Sequence, residues 1–198
     1  MARPLRVEYE GAMHHVMSRG NRQERIYDGD GDRLAFLELL ARACGKTGWQ
    51  VHAYCLMGNH FHLVVETPQA NLVEGMKWLL GVYTQRYNHR HGVVGHLFAG
   101  RYKAILIDES QPAYLRTACD YVHLNPDRAG LVGAEELLES YAWSSYPEYL
   151  KPARRRVGWV RTDRVLAEHG VGKDDAAGGE SFSAGWNCSE KRAWHRKR

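Results

Sequence analysis

Cysteines are scarce in this sequence, and their spacing is not that of a metal site or a disulfide framework. The four are Cys44, Cys55, Cys119 and Cys188, and no two of them form a Cys-x-x-Cys pair. This spacing argues against a zinc finger and against a disulfide-stabilised secreted domain. We expect reduced and mostly buried thiols, as in a cytoplasmic protein.

Long hydrophobic runs are also missing. No apolar stretch approaches the length that is needed to cross a membrane. The first residues, MARPLRVEYEG, are charged with no apolar segment behind them, so we expect neither a signal peptide nor a membrane partner. With 44% hydrophobic and 25% charged residues, the chain of 198 residues has the composition of a globular protein that can bury a core.

Acidic residues are slightly outnumbered by basic ones. The chain has 27 Lys and Arg against 23 Asp and Glu, a formal net charge of +4 with its 11 His counted as neutral. A mildly basic chain permits a nucleic-acid partner without requiring one. Basic clusters at Lys151–Arg156 and in the terminal KRAWHRKR could raise DNA affinity in a salt-dependent way, or simply keep this part of the chain soluble.

Hydrophobic periodicity predicts alternating strands and helices with one tight hairpin between them. The predicted strands are Met13–Ser18, Trp49–Met57, His60–Thr67 and one within Gly95–Asp108. The predicted helices are Asp28–Gly48, Asn71–Gly92 and Pro112–Asn125. This order favours an α+β fold of the ferredoxin-like or RRM-like type, in which helices cover one face of an antiparallel sheet.

Two details of the helices can be predicted further. Pro126 is expected to end the third helix, because proline disfavours a helical conformation at the residue before it. The apolar spacing of the first helix predicts a buried face made of Leu34, Leu37, Leu40, Ala41 and Cys44.

The chain changes character after Gly133. Residues 134–171 have the pattern of short helical pieces, and residues 172–198 are rich in glycine and charge, which predicts disorder. We therefore expect a main domain at 1–133, a C-terminal helical extension at 134–171 and a basic tail at 172–198.

Two histidines flank one phenylalanine in the stretch GNHFHLVV. Because side chains alternate across a strand, His60 and His62 share one face and Phe61 points to the other. Two imidazoles side by side can hold one cation. Chance is the competing interpretation, since a second His-x-His, His89 and His91, lies at the end of a helix.

The third helix offers possible partners for this pair. Tyr121 and Asn125 are one turn apart, so they lie on the same side of the helix. If the helix crosses the open face of the sheet, a phenol and an amide could meet the two histidines. Tyr83, Tyr87 and Tyr114 are other tyrosines in predicted helices, and we interpret them as packing or stacking residues.

The ordered set of motifs resembles a known family. GNHFHLVV, GRYKA and CDYVHLNPDRAGLV, together with HHVMSRGNRQERIY, are similar to motifs of the HUH-type tyrosine transposases. They resemble most closely the REP-associated tyrosine transposases of bacteria, over roughly residues 5–133. The stretch YAWSSYPEY is similar to the segment that follows the catalytic domain in that group.

The resemblance implies a fold, a site and an activity. It implies a ferredoxin-like catalytic domain with the active-site helix across the open sheet face. Tyr121 would be the nucleophile, and His60, His62 and Asn125 would bind Mg²⁺ or Mn²⁺. The expected substrate is single-stranded DNA beside a REP-type hairpin, which would be cleaved through a covalent 5′-phosphotyrosine and rejoined without ATP. A monomer is expected, with a dimer as the alternative.

DNA contacts are expected near the proposed site, because single-strand binding needs a basic surface with aromatic rings. Solvated surface charge is the competing interpretation for each basic residue. The candidates are Arg19, Asn21, Arg22, Arg101 and Lys103, with Tyr102 between the last two. Two other functions stay open at this point: a non-catalytic single-stranded nucleic-acid-binding protein with the same fold, and a protein with a purely structural metal site.

Overall fold

Four antiparallel strands form one sheet in a computed structural model, which describes residues 6–108, 110, 113–133 and 135–171. The strands are β1 (Ala12–Arg19), β2 (Gln50–Leu56), β3 (His60–Thr67) and β4 (Lys103–Leu106). They lie in the order β2-β3-β1-β4, with β1 paired to both β3 and β4. This is the order of a ferredoxin-like sheet, and it confirms the predicted α+β fold class.

Helices cover both faces of this sheet. They are α1 (Asp30–Thr47), α2 (Leu72–His91), α3 (Tyr114–His123), α4 (Asn125–Arg128), α5 (Tyr146–Leu150) and α6 (Asp163–Glu168). Helices α1 and α2 pack on one face, whereas α3 lies against β2 and β3 on the other. Because α3 lies on the open face, it can bring its side chains to the histidines of β3.

The core between the sheet and α1 differs from the predicted one. Leu34 is 60% exposed, whereas Phe36 is fully buried, with its ring centroid 4.9 Å from that of Phe61. The buried apolar face of α1 consists of Phe36, Leu39, Leu40, Ala43 and Cys44. Of the predicted set, Leu40 and Cys44 are buried and Leu37 packs against the core while partly exposed, whereas Leu34 faces solvent. The large ring of Phe36 buries more area than leucine, so its side of the helix faces the sheet.

The third helix ends before Pro126, as predicted, but a further short helix that was not predicted contains Pro126. Helix α3 ends at His123, and the backbone continues through Leu124 into α4, where Pro126 occupies the first turn. Proline lacks the amide hydrogen that would bond to the carbonyl of Val122. The side chain of Asn125 supplies a donor instead, with its Nδ2 3.4 Å from the Val122 oxygen.

The segment after Gly133 packs on the same face of the sheet as α3. It contains short helical pieces, as predicted, and contributes to a second core Leu138, Tyr146, Tyr149, Val165 and Leu166. The Tyr149 hydroxyl donates to the backbone oxygen of His52 at 2.6 Å, which ties the segment to β2. The predicted disordered tail, 172–198, lies outside the described residues.

Other expectations from composition can be checked on the described part of the chain. Three free thiols are buried there, those of Cys44, Cys55 and Cys119, whereas Cys188 lies outside it. No helix among the described residues combines the length and the apolar character that a membrane span requires.

Candidate active site

A cavity opens at the end of the sheet where β3 begins and β1 ends. Its volume is about 380 Å³. Residues from β1, β3, α3 and the start of α4 line it, together with the first residue of β4 and the segment that leads into it. The lining residues are Met17, Ser18, Arg19, His60, His62, Ala99, Arg101, Lys103, Tyr121 and Asn125.

The histidine pair lies on the open face of β3, as the strand alternation predicted. Strand pairing sets His60 opposite Arg19 and His62 opposite Met17. The two imidazole centroids are 5.2 Å apart. Phe61 points into the core on the other face and is fully buried. Both rings therefore reach the same cavity from neighbouring positions.

Tyr121 is brought to this pair by α3. Its ring centroid lies 5.9 Å from that of His62, and the residue is 42% exposed, so a large substrate can reach it. The guanidinium carbon of Arg128 lies 4.6 Å from the centroid of the Tyr121 ring. A cation over an aromatic ring is attracted by the ring's negative face, and this contact restrains the tyrosine.

The other tyrosines are placed differently. Tyr83 is buried in the opposite core, where its hydroxyl donates to the backbone oxygen of Ile26 at 2.6 Å. Tyr87 packs beside Tyr83 with ring centroids 6.2 Å apart. Tyr114 is 50% exposed but does not line the cavity. Only Tyr121 among these four lies against the histidines.

Asn125 completes the polar wall of the cavity. Its Nδ2 donates to the backbone oxygen of Tyr121 at 3.0 Å, so the amide is tied to the helix that carries the tyrosine. That hydrogen bond uses the nitrogen of the amide and leaves Oδ1 as the atom that can act as an acceptor or ligand.

Burial holds the imidazoles of this site in their neutral form. It lowers the pKa of His62 to about 3, and the neighbouring His15 and His60 act in the same direction. Burial also lowers the pKa of His60, and the charge of Arg19 lowers it further. The pKa of His15 is lowered by burial alone. Neutral imidazole is the form that binds metal ions.

The residues present fit a divalent cation as a mixed donor set. Among the described residues, no three His, Cys, Asp or Glu side chains form a group that could hold a metal ion. His60, His62 and Asn125, which carry two imidazoles and one amide, nevertheless line one cavity. Three protein donors leave coordination positions for substrate oxygens, and imidazole with amide oxygen suits several divalent ions.

The predicted DNA contacts divide into two groups. Arg19, Arg101 and Lys103 line the cavity. Asn21 and Arg22 lie outside it, exposed in a short 3₁₀ turn (Asn21–Gln23) directly after β1. The structure therefore brings three of the five candidates to the histidine and tyrosine cluster.

Tyr102 is not an open stacking surface. It is 8% exposed, and the guanidinium carbon of Arg6 lies 3.6 Å from the centre of its ring. Its position between Arg101 and Lys103 in sequence suggested a ring interleaved with basic side chains. Tyr102 lies just before β4 and belongs to the core on the α1 and α2 side of the sheet, so its ring face is already covered.

Sequence reasoning missed two side chains that contact the histidine pair. Asn59 Oδ1 lies 2.7 Å from His60 Nδ1, and His15 Nε2 lies 3.0 Å from His62 Nδ1. Asn59 was interpreted only as part of a turn, although its position next to His60 was visible. His15 could be found only from the pairing of β1 with β3, which places the two strands' open faces together.

The fold and the site together define a ferredoxin-like protein with a histidine and tyrosine cluster on its open sheet face. The chain belongs to the family of IS200-like transposases, whose family model matches residues 8–125, more than half of the chain. This agrees with the resemblance that the motifs suggested.

Several solved structures are similar to this chain, among them the following two. A REP-associated tyrosine transposase bound to a REP hairpin superposes with a TM-score of 0.61 at 14% identity, covering 81% of this chain and 89% of that one. That likeness establishes the fold. A transposase structure from Deinococcus radiodurans R1 gives a TM-score of 0.40 at 19% identity, covering 59% and 94%. A search of curated proteins finds no match.

Proposed function

We propose that this chain cleaves and rejoins single-stranded DNA next to REP-type hairpins, with Tyr121 as the nucleophile. The observation that carries the proposal is the position of Tyr121, accessible on α3 and against His62 in a cavity that Arg19 also lines. The hairpin bound by the similar REP-associated transposase supports this choice of substrate.

The reaction exchanges one phosphodiester for another. The Tyr121 oxygen attacks the scissile phosphorus, the bond from phosphorus to the 3′ oxygen breaks, and a 5′-phosphotyrosine forms. The phenol loses a proton and the departing 3′ oxygen gains one. Attack by a 3′ hydroxyl on the phosphotyrosine reverses these steps and joins strands, so no ATP is needed.

The protein's task is to place the phosphate and balance its charge. Arg19, Arg101 and Lys103 attract the backbone phosphates at the cavity. His60, His62 and Asn125 would hold Mg²⁺ or Mn²⁺, which when bound polarises phosphoryl oxygens and stabilises developing negative charge. Since all three ligands are neutral, they would leave the full charge of the cation directed at the phosphate.

The site also bears on oligomeric state. Tyr121 and the histidine pair of one chain already lie together, so a single chain contains the whole cluster. We therefore propose a monomer that acts on DNA in the cytoplasm.

The test uses a hairpin oligonucleotide labelled at either end, incubated with the protein and Mg²⁺ or Mn²⁺. The 3′-labelled fragment should migrate as a covalent protein adduct, while the 5′-labelled fragment should be shorter and free. Tyr121→Phe is the control and should give neither product. Equal cleavage by Tyr121→Phe, or no adduct over a broad panel of hairpins, would contradict the proposal. Metal-independent hairpin binding without cleavage would favour the non-catalytic binding protein instead.

A further inference from the structure

The two histidines of the site are held by different kinds of partner. His60 Nδ1 lies 2.7 Å from Asn59 Oδ1, and Asn59 Nδ2 donates to the backbone oxygen of Gln23 at 3.0 Å. The Gln23 carbonyl can only accept, which fixes the orientation of the Asn59 amide. His60 Nδ1 must therefore carry the proton and donate it, which leaves Nε2 with the lone pair that can bind a metal ion.

His62 has no such one-way partner. Its Nδ1 lies 3.0 Å from His15 Nε2, and each of these nitrogens can donate or accept. The two neutral rings share one proton along this hydrogen bond. If His15 donates it, His62 carries its own proton on Nε2 and offers no lone pair there. If His62 donates it, Nε2 of His62 becomes a ligand.

His15 occupies the position of a supporting residue and not of a ligand. It is 9% exposed and does not line the cavity, whereas His62 does. Its ring stacks on His62 with centroids 5.2 Å apart and meets the edge of Tyr121 at 5.6 Å. One buried side chain on β1 thus touches a candidate metal ligand on β3 and the candidate nucleophile on α3.

We propose that His15 accepts the proton of His62 Nδ1 and thereby positions His62 as an Nε2 ligand for a divalent cation beside Tyr121. This inference rests on the proposed function, because it gives His62 the role of a ligand. Outer partners of metal-binding histidines fix the tautomer and ring orientation, and their loss typically costs about 10- to 100-fold in metal affinity. His15 would do for His62 what Asn59 does for His60.

The first experiment measures the tautomer of His62 in the metal-free protein by ¹⁵N NMR of labelled histidine at pH 7.5. The proposal expects the proton on Nδ1. A proton on Nε2 would overturn it. This readout requires neither DNA cleavage nor a bound metal, so it can succeed or fail independently of the proposed function.

The second experiment titrates Mn²⁺ by EPR in His15→Phe, His15→Gln and a control, His14→Phe. His14 is a buried neighbour on β1 that does not line the cavity, and its Nε2 lies 3.3 Å from the backbone oxygen of Val7. His15→Phe should weaken Mn²⁺ binding about 10- to 100-fold, His15→Gln should restore part of it through its amide oxygen, and His14→Phe should bind as wild type.

Melting temperatures of the same variants without metal separate positioning from simple destabilisation. A purely structural His15 would lower the melting temperature in His15→Phe and leave the Mn²⁺ affinity of the folded protein unchanged, which would overturn the inference. If the wild type cleaves hairpin DNA and binds Mn²⁺ while His15→Phe binds equally well, this inference fails alone. If the wild type does not cleave hairpin DNA but His62 carries its proton on Nδ1, the proposed function is contradicted and the proposed role of His15 is not.

Discussion

The two faces of the sheet bury different kinds of side chain. Under α1 and α2 the buried groups include aromatic rings in tilted and edge-to-face contact, such as Phe36, 4.9 Å from Phe61 and 5.1 Å from Tyr83 between ring centroids. Under α3 the sheet buries imidazoles as well, among them His15 and His62. Hydrophobic burial accounts for these aromatic side chains. The second buries polar groups that cost stability unless they are paired, which points to a use other than folding.

The strongest test of this contrast replaces both candidate metal ligands. The double variant His60→Ala and His62→Ala should lower hairpin cleavage about a thousand-fold, the equivalent of about 4 kcal/mol of lost charge stabilisation in the transition state. Rates come from quenched gel assays, and stability from urea unfolding without metal. A purely structural metal site predicts another pattern, in which metal raises the wild-type melting temperature, the double variant loses that increase, and Tyr121→Phe changes nothing.

On the sheet face under α1 and α2, substitutions should lower stability. Phe36→Ala should lower the free energy of unfolding by about 3–5 kcal/mol, because it removes a fully buried ring and leaves a cavity. Leu34→Ala is the matched control on the same helix, where 60% exposure predicts a loss below about 0.5 kcal/mol. Urea denaturation measures both. Similar losses at the two positions would mean that the buried face of α1 is wrongly assigned.

Acid should lower the free energy of unfolding through His123, which is buried on the α3 side of the sheet. This ring is buried on α3, its Nε2 is 2.8 Å from Ser145 Oγ, and burial lowers its pKa to about 3, with nearby His169 acting in the same direction. Because the folded pKa lies below the unfolded value, its stabilising contribution is complete above about pH 6.5 and is lost as the pH falls toward 3. Between pH 7 and pH 5 the loss should be about 2 kcal/mol.

Unfolding free energies measured at several pH values test this contribution. His123→Gln cannot titrate, and its amide can still bond to Ser145, so its stability should depend less steeply on pH. An identical slope in the wild type and the variant would show that His123 does not contribute.

The smallest expected effect concerns the basic residues. Arg101→Ala should weaken binding of hairpin DNA several-fold and reduce the slope of log affinity against log salt by about 0.7, the value for one phosphate on a single strand. Arg22→Ala should change both less, since Arg22 lies outside the cavity that Arg101 lines. Fluorescence anisotropy at a series of salt concentrations gives both numbers. An equal or larger effect at Arg22 would show that the DNA runs over the turn after β1 and not through the cavity.

Local patterns predicted the parts of the site that depend on one element. Strand alternation was enough to place His60 and His62 on one face, and helical spacing placed Tyr121 beside Asn125. The order of strands and helices was enough for the ferredoxin-like fold. The predicted face of α1 failed because Leu34 and Phe36 compete for the core, and only packing against Phe61 decides between them.

Contacts between elements could not be read from the sequence. His15 and His62 are 47 positions apart and meet diagonally across the β1–β3 pairing. Arg128 reaches the ring of Tyr121 because a further short helix follows α3 and contains Pro126, which the proline rule alone did not predict. Strand register and the course of a helix after a break are set by tertiary packing, so these partners appear only in three dimensions.

Identification of the residue that carries the DNA tests the central claim most directly. The adduct formed on hairpin DNA would be digested with nuclease and trypsin and examined by mass spectrometry. Trypsin cleaves after Arg116 and Arg128, so Tyr121 is the only tyrosine in its peptide, and Tyr114 falls in the preceding one. The account predicts a phosphorylated nucleotide remnant on Tyr121. A remnant on Tyr114 or on any other residue would contradict it.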